Sequence, residues 1–302
     1  MTDIPDGMLI VNPTAGRGRA GKEVGAIRRL LAESGKNWSW RWTEASGDAE
    51  LMAREAAQSG VPLVVAVGGD GTVYEVANGI LGTASTLGLI PFGTGNDLAR
   101  TVGLFNNLEL ACRTLTQGKT LHLDVGVMEG QGTNGPRRFL VVAGTGYVAE
   151  VAKTVNQGIK FLSGSAAYVW GAITALREFT PFHLTLDVDG VRMETDAMFL
   201  AIANTPVTGG GMKLAPEARV DDGMLEVCLV GAVSRSMLLY ELTRVFQGTH
   251  VNNPAVTMRR GTRIMVDADP PQLLWVDGDT MGSTPATFTL LPGALPILVP
   301  AA

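Results

Sequence analysis

The first 120 residues alternate short, wholly apolar runs with segments of helical periodicity, and this alternation constrains the fold most. A strand that is apolar on both faces must be covered on both faces, as in a parallel sheet between two layers of helices. We therefore predict a doubly wound parallel α/β domain. Its predicted strands are Met8–Val11, Trp38–Thr43, Leu63–Val67 and Leu87–Ile90. Its predicted helices are Ala20–Glu33, Asp48–Gln58, Thr72–Leu81, Asp97–Val102 and Leu108–Thr116.

After about Leu121 the pattern changes to segments in which apolar and polar residues alternate, separated by turn residues such as Asp189-Gly190. Alternation with a period of two is typical of strands with one buried face, so we predict an antiparallel β domain, a sandwich. Its predicted strands are His122–Met128, Phe139–Ala143, His183–Val188, Met198–Ala203, Leu225–Val230, Arg263–Val266 and Leu273–Val276. Helices are predicted at Ala166–Phe179 and Ser234–Phe246.

Composition excludes several classes of protein. With 46% hydrophobic and 18% charged residues the chain is neither disordered nor a coiled coil. A net charge of −5 argues against binding nucleic acid through bulk positive charge. The two cysteines and three histidines are scattered, which argues against a zinc cluster or a disulfide framework. The scattered cysteines also fit a reducing cytoplasm, where we expect the protein to work. Glycine, proline or short length interrupts every uncharged stretch, so we expect no membrane span.

The glycine-rich segment Asn12–Lys22 follows the first predicted strand. From Gly16 it fits both a dinucleotide-binding pattern and a phosphate-binding P-loop, but Glu23 stands where the P-loop needs a hydroxyl side chain. The dinucleotide pattern is also imperfect, because four residues separate the strand from Gly16. Either pattern would place phosphate near backbone N–H groups and the basic residues Arg17, Arg19 and Lys22. The alternative is an ordinary loop before a basic helix.

Two further glycine-rich segments, Val67–Glu75 and Ile90–Asp97, follow the third and fourth predicted strands. Ligands of open α/β sheets bind at the carboxyl ends of the strands, so we expect both segments to face one crevice. An aspartate such as Asp70 can act beside phosphates through a divalent cation or a hydrogen-bond donor. The structural alternatives are helix caps at Thr72 and at Asn96 or Asp97.

Together these three segments resemble the catalytic-domain signature of the diacylglycerol kinase and sphingosine kinase family. The length and layout of the chain are similar to those of its soluble bacterial members, the YegS-like lipid kinases. The resemblance continues through Ala215–Leu225, Val276–Asp279 and Pro292–Pro300, and so covers nearly the whole chain. It implies a nucleotide-binding domain of residues 1–121 plus about 293–302. It also implies a β-sandwich domain of residues 122–292, with the active site in the cleft between the two domains.

The resemblance further implies transfer of the γ-phosphoryl group of ATP to the hydroxyl of a diacylglycerol-like, phosphatidylglycerol-like or sphingoid lipid. The residues expected at the nucleotide are Asn12, Pro13, Thr14, Ala15, Gly16, Thr43, Gly68, Gly69, Asp70, Gly71, Thr72, Val73, Tyr74 and Thr94. A magnesium ion is expected on Asp222 and on the carbonyls of Arg219 and Met224.

Catalytic roles are expected for Asp70 and Asp279, with Asp97 and Asp124 in a supporting network. Asp279 would accept the proton of the lipid hydroxyl, although the family usually has glutamate at this position. One methylene less displaces the carboxylate by about 1 Å, and a displacement of that size can cost ~10²-fold in rate.

Other interpretations stay open at this stage. The same scaffold serves kinases of NAD or sugar phosphates, the Gly16 pattern taken literally indicates an NAD-linked oxidoreductase, and a non-catalytic lipid- or nucleotide-binding protein would tolerate Asp279. The aromatic and aliphatic stripe Tyr168, Trp170, Ile173, Leu176 and Phe179 fits a core better than a lipid wall. The expected partners are a lipid and, transiently, a membrane surface, with no nucleic acid. The oligomeric state is open.

Overall fold

A computed structural model describes residues 4–147, 149–150 and 180–301, and the chain divides into two compact units. The first unit comprises Met1–Leu123 and Gly293–Ala302, and the second comprises Asp124–Pro292. The predicted helix Ala166–Phe179, with its apolar stripe, lies outside the described residues.

The first unit contains a parallel sheet, as the alternation of apolar runs predicts. Its strands are β1 (Gly7–Val11), β2 (Trp38–Trp42), β3 (Leu63–Gly68), β4 (Thr86–Pro91) and the end of β14 (Asp279–Val299). They lie in the order β2-β1-β3-β4-β14, and each neighbouring pair is parallel. Every residue of β3 is buried, because strands lie on both of its sides and helices cover the sheet.

The helices that accompany this sheet are α1 (Ala15–Ala32), α2 (Asp48–Gln58), α3 (Asp70–Ile80), α4 (Asp97–Thr101) and α5 (Leu108–Gln117). Four of them pack in pairs, α1 with α5 and α2 with α3. Left-handed backbone at Gly16, Arg17 and Gly18 interrupts the first turns of α1, so its regular part begins close to the predicted start at Ala20. Helix α3 begins at Asp70, two residues before the predicted start, which places this aspartate in the first turn.

The second unit is built of antiparallel strands. Its strands are the later part of β5 (Lys119–Gln131), β6 (Arg137–Phe139), β7 (Val142–Gly146), β8 (Phe182–Val188), β9 (Val191–Ala203), β10 (Leu225–Gly231), β11 (Val256–Gly261), β12 (Arg263–Asp269), β13 (Leu273–Val276) and the start of β14. Strand β9 pairs through its first half with β8 and through its second half with β7 and β10. The pairings β7-β9-β8-β12-β14-β13-β7 form a closed circuit, a feature that the sandwich prediction did not include.

Two predictions for this unit need correction. The predicted strand Phe139–Ala143 is broken at Leu140 and Val141, because the N–H groups of both residues bind the carboxylate of Asp277 instead of a neighbouring strand. Helix α6 (Arg235–Arg244) is shorter than predicted and begins after a Ser234 side-chain cap on the Met237 N–H. Strand β11 and most of β14 were not predicted from the alternation.

The core of the second unit combines residues of at least seven strands, among them the fully buried Phe139, Leu184, Leu200 and Ile264. Within the part of the chain that the structure describes, no helix has both the length and the apolarity needed to cross a membrane.

We predict opposite effects on stability for two glycine-to-alanine changes in helices of the first unit. A Cβ at Gly79 would lie 2.5 Å from the Glu50 carbonyl oxygen and 2.7 Å from the Ala53 Cβ on α2, so Gly79→Ala forces α2 and α3 apart. Overpacking of this kind costs about 1–3 kcal/mol. Gly25 on α1 is exposed with open space around it, and Gly25→Ala should stabilise by up to about 1 kcal/mol.

Urea unfolding followed by circular dichroism measures both changes in the free energy of unfolding. Equal effects of the two substitutions would contradict the packing of α2 on α3.

Candidate functional site

Three loops of the first unit begin at the carboxyl ends of adjacent parallel strands. The first loop (Asn12–Gly18) follows β1, the second (Gly68–Thr72) follows β3 and the third (Phe92–Asp97) follows β4. The register aligns Val11 with Val67 and Gly68 with Pro91, so the three loops leave the sheet at the same level. This is the edge at which open α/β sheets bind ligands.

Asn12 fixes the first loop on the second. Its Nδ2 donates to Thr72 Oγ1 at 3.2 Å, while its Oδ1 accepts from the N–H and the hydroxyl of Thr14 at 3.1 and 2.8 Å. Gly16 has φ 60°, and a side chain there would collide with the carbonyl oxygen of Phe92 in the third loop. Glycine is therefore required by both the backbone conformation and the close approach of the two loops.

The second and third loops touch through their backbones. A Cβ on Gly93 would lie 2.5 Å from the Cα of Gly69, and a Cβ on Gly69 would lie 3.0 Å from the Cα of Gly93. A side chain on Gly93 would collide with the second loop, and one on Gly69 would be in a tighter contact than usual. The two glycine-rich motifs that the sequence analysis expected to face one crevice are therefore in direct contact.

Asp70 joins the same two loops through its carboxylate. Oδ2 accepts from the N–H of Asn96 and Oδ1 from the N–H of Asp97, both at 2.7 Å. Asn96 has a left-handed backbone with φ 51° and donates through Nδ2 to the Gly93 carbonyl at 2.8 Å, which keeps its N–H aimed at Asp70. Burial raises the pKa of the Asp70 carboxyl, while these N–H groups and the nearby Arg100 oppose the shift.

Several expected nucleotide residues lie at the open side of these loops. Gly71 and Thr94 are exposed, and nothing lies within 4 Å of the position of a Cβ on Gly71. Helix α3 begins at Asp70, and the preceding residue Gly69 provides no side-chain cap, so Thr72 does not serve as the cap that was the structural alternative for it. The Thr43 N–H donates to the Val11 carbonyl at 3.0 Å, which places Thr43 beside the first loop. Uncapped N–H groups at a helix start suit an anion such as phosphate.

Glu75 has a structural role that the sequence analysis did not assign. From α3 it accepts hydrogen bonds from Ser46 Oγ at 3.2 Å, Gly47 N–H at 2.9 Å and Ala49 N–H at 3.2 Å. It therefore caps α2 from a neighbouring helix. In the sequence it ends the second glycine-rich segment, five residues after Asp70.

The expected metal loop, Arg219–Met224, lies in the second unit. Asp222 accepts from its own loop, with Met224 N–H 3.1 Å from Oδ1, and its Oδ2 forms an ion pair with Arg260. Arg260 Nε also lies 2.6 Å from Glu226 Oε1, so one guanidinium bridges two carboxylates. Burial raises the pKa of Glu226, and Arg260 opposes that shift.

Asp124, expected in the supporting network, contacts the metal loop directly. It is buried, its Oδ2 accepts from the Gly223 N–H at 2.7 Å, and its N–H donates to the Val220 carbonyl at 2.7 Å. Asp97 is also buried, in the first turn of α4. Among the described residues no three His, Cys, Asp or Glu side chains form a metal-binding group. A metal here would therefore rely on main-chain carbonyls in addition to Asp222.

The expected base, Asp279, begins β14 directly after the turn Asp277-Gly278. Its side chain is exposed and makes no hydrogen bond to the described residues. Asp277, which was not assigned a role, instead accepts from the N–H groups of Leu140, Val141 and Val142 at 2.7, 3.1 and 2.9 Å.

Comparison with known proteins matches both units to one family. The model of the diacylglycerol kinase catalytic domain matches residues 6–128. The model of the YegS C-terminal NAD kinase beta sandwich-like domain matches residues 141–299, more than half of the chain.

Individual relatives agree with these matches over nearly their full length. The chain is 30% identical over 295 residues to a diacylglycerol kinase of Bacillus subtilis (strain 168), covering 97% of this chain and 95% of that protein. It is 29% identical over 294 residues to a diacylglycerol kinase of Staphylococcus aureus (strain MRSA252), covering 97% and 91%. A crystal structure of a diacylglycerol kinase from Bacillus anthracis (strain Sterne) superposes with a TM-score of 0.77 at 25% identity, covering 99% and 98%.

The predicted resemblance is confirmed, as are an N-terminal α/β domain and a C-terminal β-rich domain. The chain belongs to the diacylglycerol kinase family, a family of phosphotransferase enzymes for which ATP is the typical phosphate donor.

Proposed function

We propose that this protein uses ATP and Mg²⁺ to phosphorylate a lipid hydroxyl, on a diacylglycerol-like, phosphatidylglycerol-like or sphingoid lipid. The observation that carries the proposal is the joining of the Gly69 and Gly93 loops by the Asp70 carboxylate. The acceptor is inferred from the names of the relatives, which are diacylglycerol kinases. The protein would work in the cytoplasm with transient contact to a membrane surface.

The three loops of the first unit would bind the triphosphate of ATP. Phosphoryl transfer depends mainly on alignment and on compensation of negative charge, which backbone N–H groups on rigid loops supply. The open space at Gly71 and the uncapped start of α3 support a phosphate position there. The other residues proposed to line the nucleotide are Asn12 to Gly16, Thr43, Gly68 to Tyr74, and Thr94.

Asp222 and the carbonyls of Arg219 and Met224 would hold Mg²⁺. Their chemistry fits, because Mg²⁺ takes oxygen ligands and commonly binds one or two carboxylates while keeping several waters. When bound, the ion would supply positive charge that offsets the charge of the phosphates. Arg260 already neutralises Asp222 in part, and Asp124 holds the loop through Gly223.

Asp279 would accept the proton of the lipid hydroxyl. The hydroxyl oxygen attacks the γ-phosphorus, the bond from that phosphorus to the β-phosphate oxygen breaks, and ADP leaves. The proton released from the hydroxyl passes to the Asp279 carboxylate. The exposure of this side chain supports the role, because a base must reach a substrate that comes from outside the protein. Asp97 and Asp124 would support the loops.

A second candidate function is phosphorylation of another acceptor, such as NAD or a sugar phosphate, on the same scaffold. The observation that favours it is the matched C-terminal model, which is described as NAD kinase beta sandwich-like. Neither the NAD-linked oxidoreductase nor the binding protein without activity is favoured, because the chain belongs to a kinase family.

Purified protein with ATP and Mg²⁺ should convert at least one lipid in a panel of diacylglycerol, phosphatidylglycerol and sphingosine to its phosphate. Mass spectrometry detects the added phosphate group. Parallel reactions contain NAD or fructose 6-phosphate as acceptor, and reactions without Mg²⁺ test the metal requirement. Phosphorylation of NAD or the sugar phosphate alone would support the second candidate, whereas ATP binding without turnover of any acceptor would contradict both.

Asp70→Asn should lower kcat by about 10²-fold or more, because the new amide cannot accept from the N–H groups of both Asn96 and Asp97. Asp48→Asn is the matched control. The Asp48 carboxylate also accepts two backbone N–H groups, from Glu44 and Ala45, but lies outside the three loops. Initial rates of lipid phosphorylation compare the variants, and an equal loss in both would contradict a special role for Asp70.

Asp279→Asn should lower kcat by about 10²–10⁴-fold, the usual contribution of a general base. Asp279→Glu should retain or increase the activity, because it restores the side chain that the family usually has. Asp267→Asn, an exposed aspartate on β12, alters the net charge in the same way as Asp279→Asn and should leave the rate unchanged. If the kcat of Asp279→Asn is within a few-fold of the kcat of the unmodified protein, Asp279 is not the base.

A further inference from the structure

Asp277 and Gly278 form the two-residue turn that leads into Asp279. Val276 pairs with Asp279 across the hairpin, and the two turn residues have φ 43° and φ 105°. Positive φ at both central positions is the geometry of a type I′ hairpin, for which Asp-Gly is a favoured sequence. The sequence alone therefore explains the turn, but it does not explain the hydrogen bonds that the Asp277 side chain makes.

The Asp277 carboxylate holds a distant segment of the chain. It accepts three N–H groups, from Leu140, Val141 and Val142, and its own N–H donates to the Val142 carbonyl at 2.9 Å. These bonds occupy both carboxylate oxygens and fix the turn to the break between β6 and β7. The Asp279 side chain makes no such bond to the described residues, so Asp277 is the residue whose side chain joins this turn to the distant segment.

The same segment connects to the metal loop through Asn204, which is 1% exposed. Its Nδ2 donates both to the Leu140 carbonyl at 3.0 Å and to the Asp124 carbonyl at 2.9 Å, and its N–H donates to the Val141 carbonyl at 2.9 Å. Asp124 in turn accepts the Gly223 N–H of the metal loop. A continuous path of hydrogen bonds therefore runs from the Asp277 turn to Gly223, entirely within the second unit.

We propose that Asp277 and Asn204 are positioning residues that hold the base Asp279 and the metal loop in a fixed relation. This inference rests on the proposed function of Asp279 and Asp222. Neither proposed positioning residue needs to touch the substrate. Its effect follows from geometry, because a displacement of about 1 Å at a reacting group can cost ~10²-fold in rate. Anchoring of the turn matters more for an aspartate base than for a glutamate base. The shorter side chain has fewer rotatable bonds with which to compensate for a displaced backbone.

The second unit contains a matched control for Asp277. Asp189 and Gly190 form the hairpin turn between β8 and β9 with φ 50° and φ 87°, and the Asp189 carboxylate also accepts backbone N–H groups, from Thr262 and Arg263. The Asp189 N–H donates to the Arg263 carbonyl at 3.0 Å, as the Asp277 N–H does to Val142. The two turns share one structural device, but only one of them leads into a proposed catalytic residue.

We expect Asp277→Asn to lower kcat for lipid phosphorylation by about tenfold to a hundredfold while KM for ATP changes less than about twofold. Both Asp277→Asn and Asp189→Asn should lower the melting temperature, and by similar amounts. Asp189→Asn should leave kcat per folded molecule unchanged. If Asp277→Asn also leaves kcat unchanged, the inference is overturned. Should Asp277→Asn fail to fold, Asp277→Ser, which retains an acceptor oxygen, is measured with the same expectation.

A double substitution separates positioning from general support of the fold. Residues that act through one another are not additive, so in an Asp279→Asn background the further change Asp277→Asn should cost less than about twofold in kcat. A residue that only stabilises the fold would cost the same factor in both backgrounds, and that result would refute the role.

Hydrogen–deuterium exchange tests the path of hydrogen bonds without any measurement of activity. Asp277→Asn should speed amide exchange at Val141, and Asn204→Ala should speed it at both Val141 and Gly223, with Asp189→Asn affecting neither. Unchanged exchange at Gly223 in the Asn204 variant would break the proposed link to the metal loop. If the unmodified protein phosphorylates no acceptor, the proposed function fails, and the exchange results still decide whether the two sites are coupled.

Discussion

The carboxylate of Asp70 holds together the part of the first unit on which the proposed nucleotide site depends. It lies in the first turn of α3 and accepts hydrogen bonds from the N–H groups of Asn96 and Asp97 at the start of α4. These residues are 26 and 27 positions after Asp70 in the sequence. The loops can approach so closely only because Gly69 and Gly93 have no side chains. Together, the carboxylate and the two glycines leave one rigid surface of backbone groups at the ends of β3 and β4.

A rigid surface of this kind suits phosphoryl transfer. The reaction requires little covalent chemistry from the protein and much alignment, so loops fixed by hydrogen bonds before the substrate arrives avoid the cost of ordering them during the reaction. The Asp70 carboxylate lies in a poorly solvated position, which raises its pKa, and the N–H donors of Asn96 and Asp97 oppose that shift. The proposed contribution of Asp70 to catalysis is therefore that it fixes the third loop on the second.

In the second unit, aspartate carboxylates also fix distant backbone segments. Two Asp-Gly hairpins contain an aspartate that accepts hydrogen bonds from backbone N–H groups far away in sequence. The Asp189 hairpin serves the fold, whereas the Asp277 hairpin precedes the proposed base and shares a hydrogen-bonded path with the metal loop. Arg260 adds a further constraint, because it pairs with two carboxylates, that of Glu226 and that of the proposed metal ligand Asp222. Family membership and these contacts together make the second unit the proposed source of the base and the metal ligands.

The sequence by itself determined the parallel α/β unit and the β-rich unit after it, because apolar runs and alternating segments are local patterns. It indicated the family through the resemblance carried by the three glycine-rich segments and the C-terminal motifs. It also predicted that the loops at Asp70 and Gly93 would face one crevice, since neighbouring parallel strands end at one edge, but their direct contact is a finding of the structure. Only the tertiary structure decided that Asp70 binds the Asn96 and Asp97 N–H groups, that Glu75 caps another helix, and that Leu140 and Val141 leave the predicted strand to bind Asp277. Each of these depends on a hydrogen-bond partner far away in sequence, and a local pattern carries no information about which distant N–H group will need an acceptor.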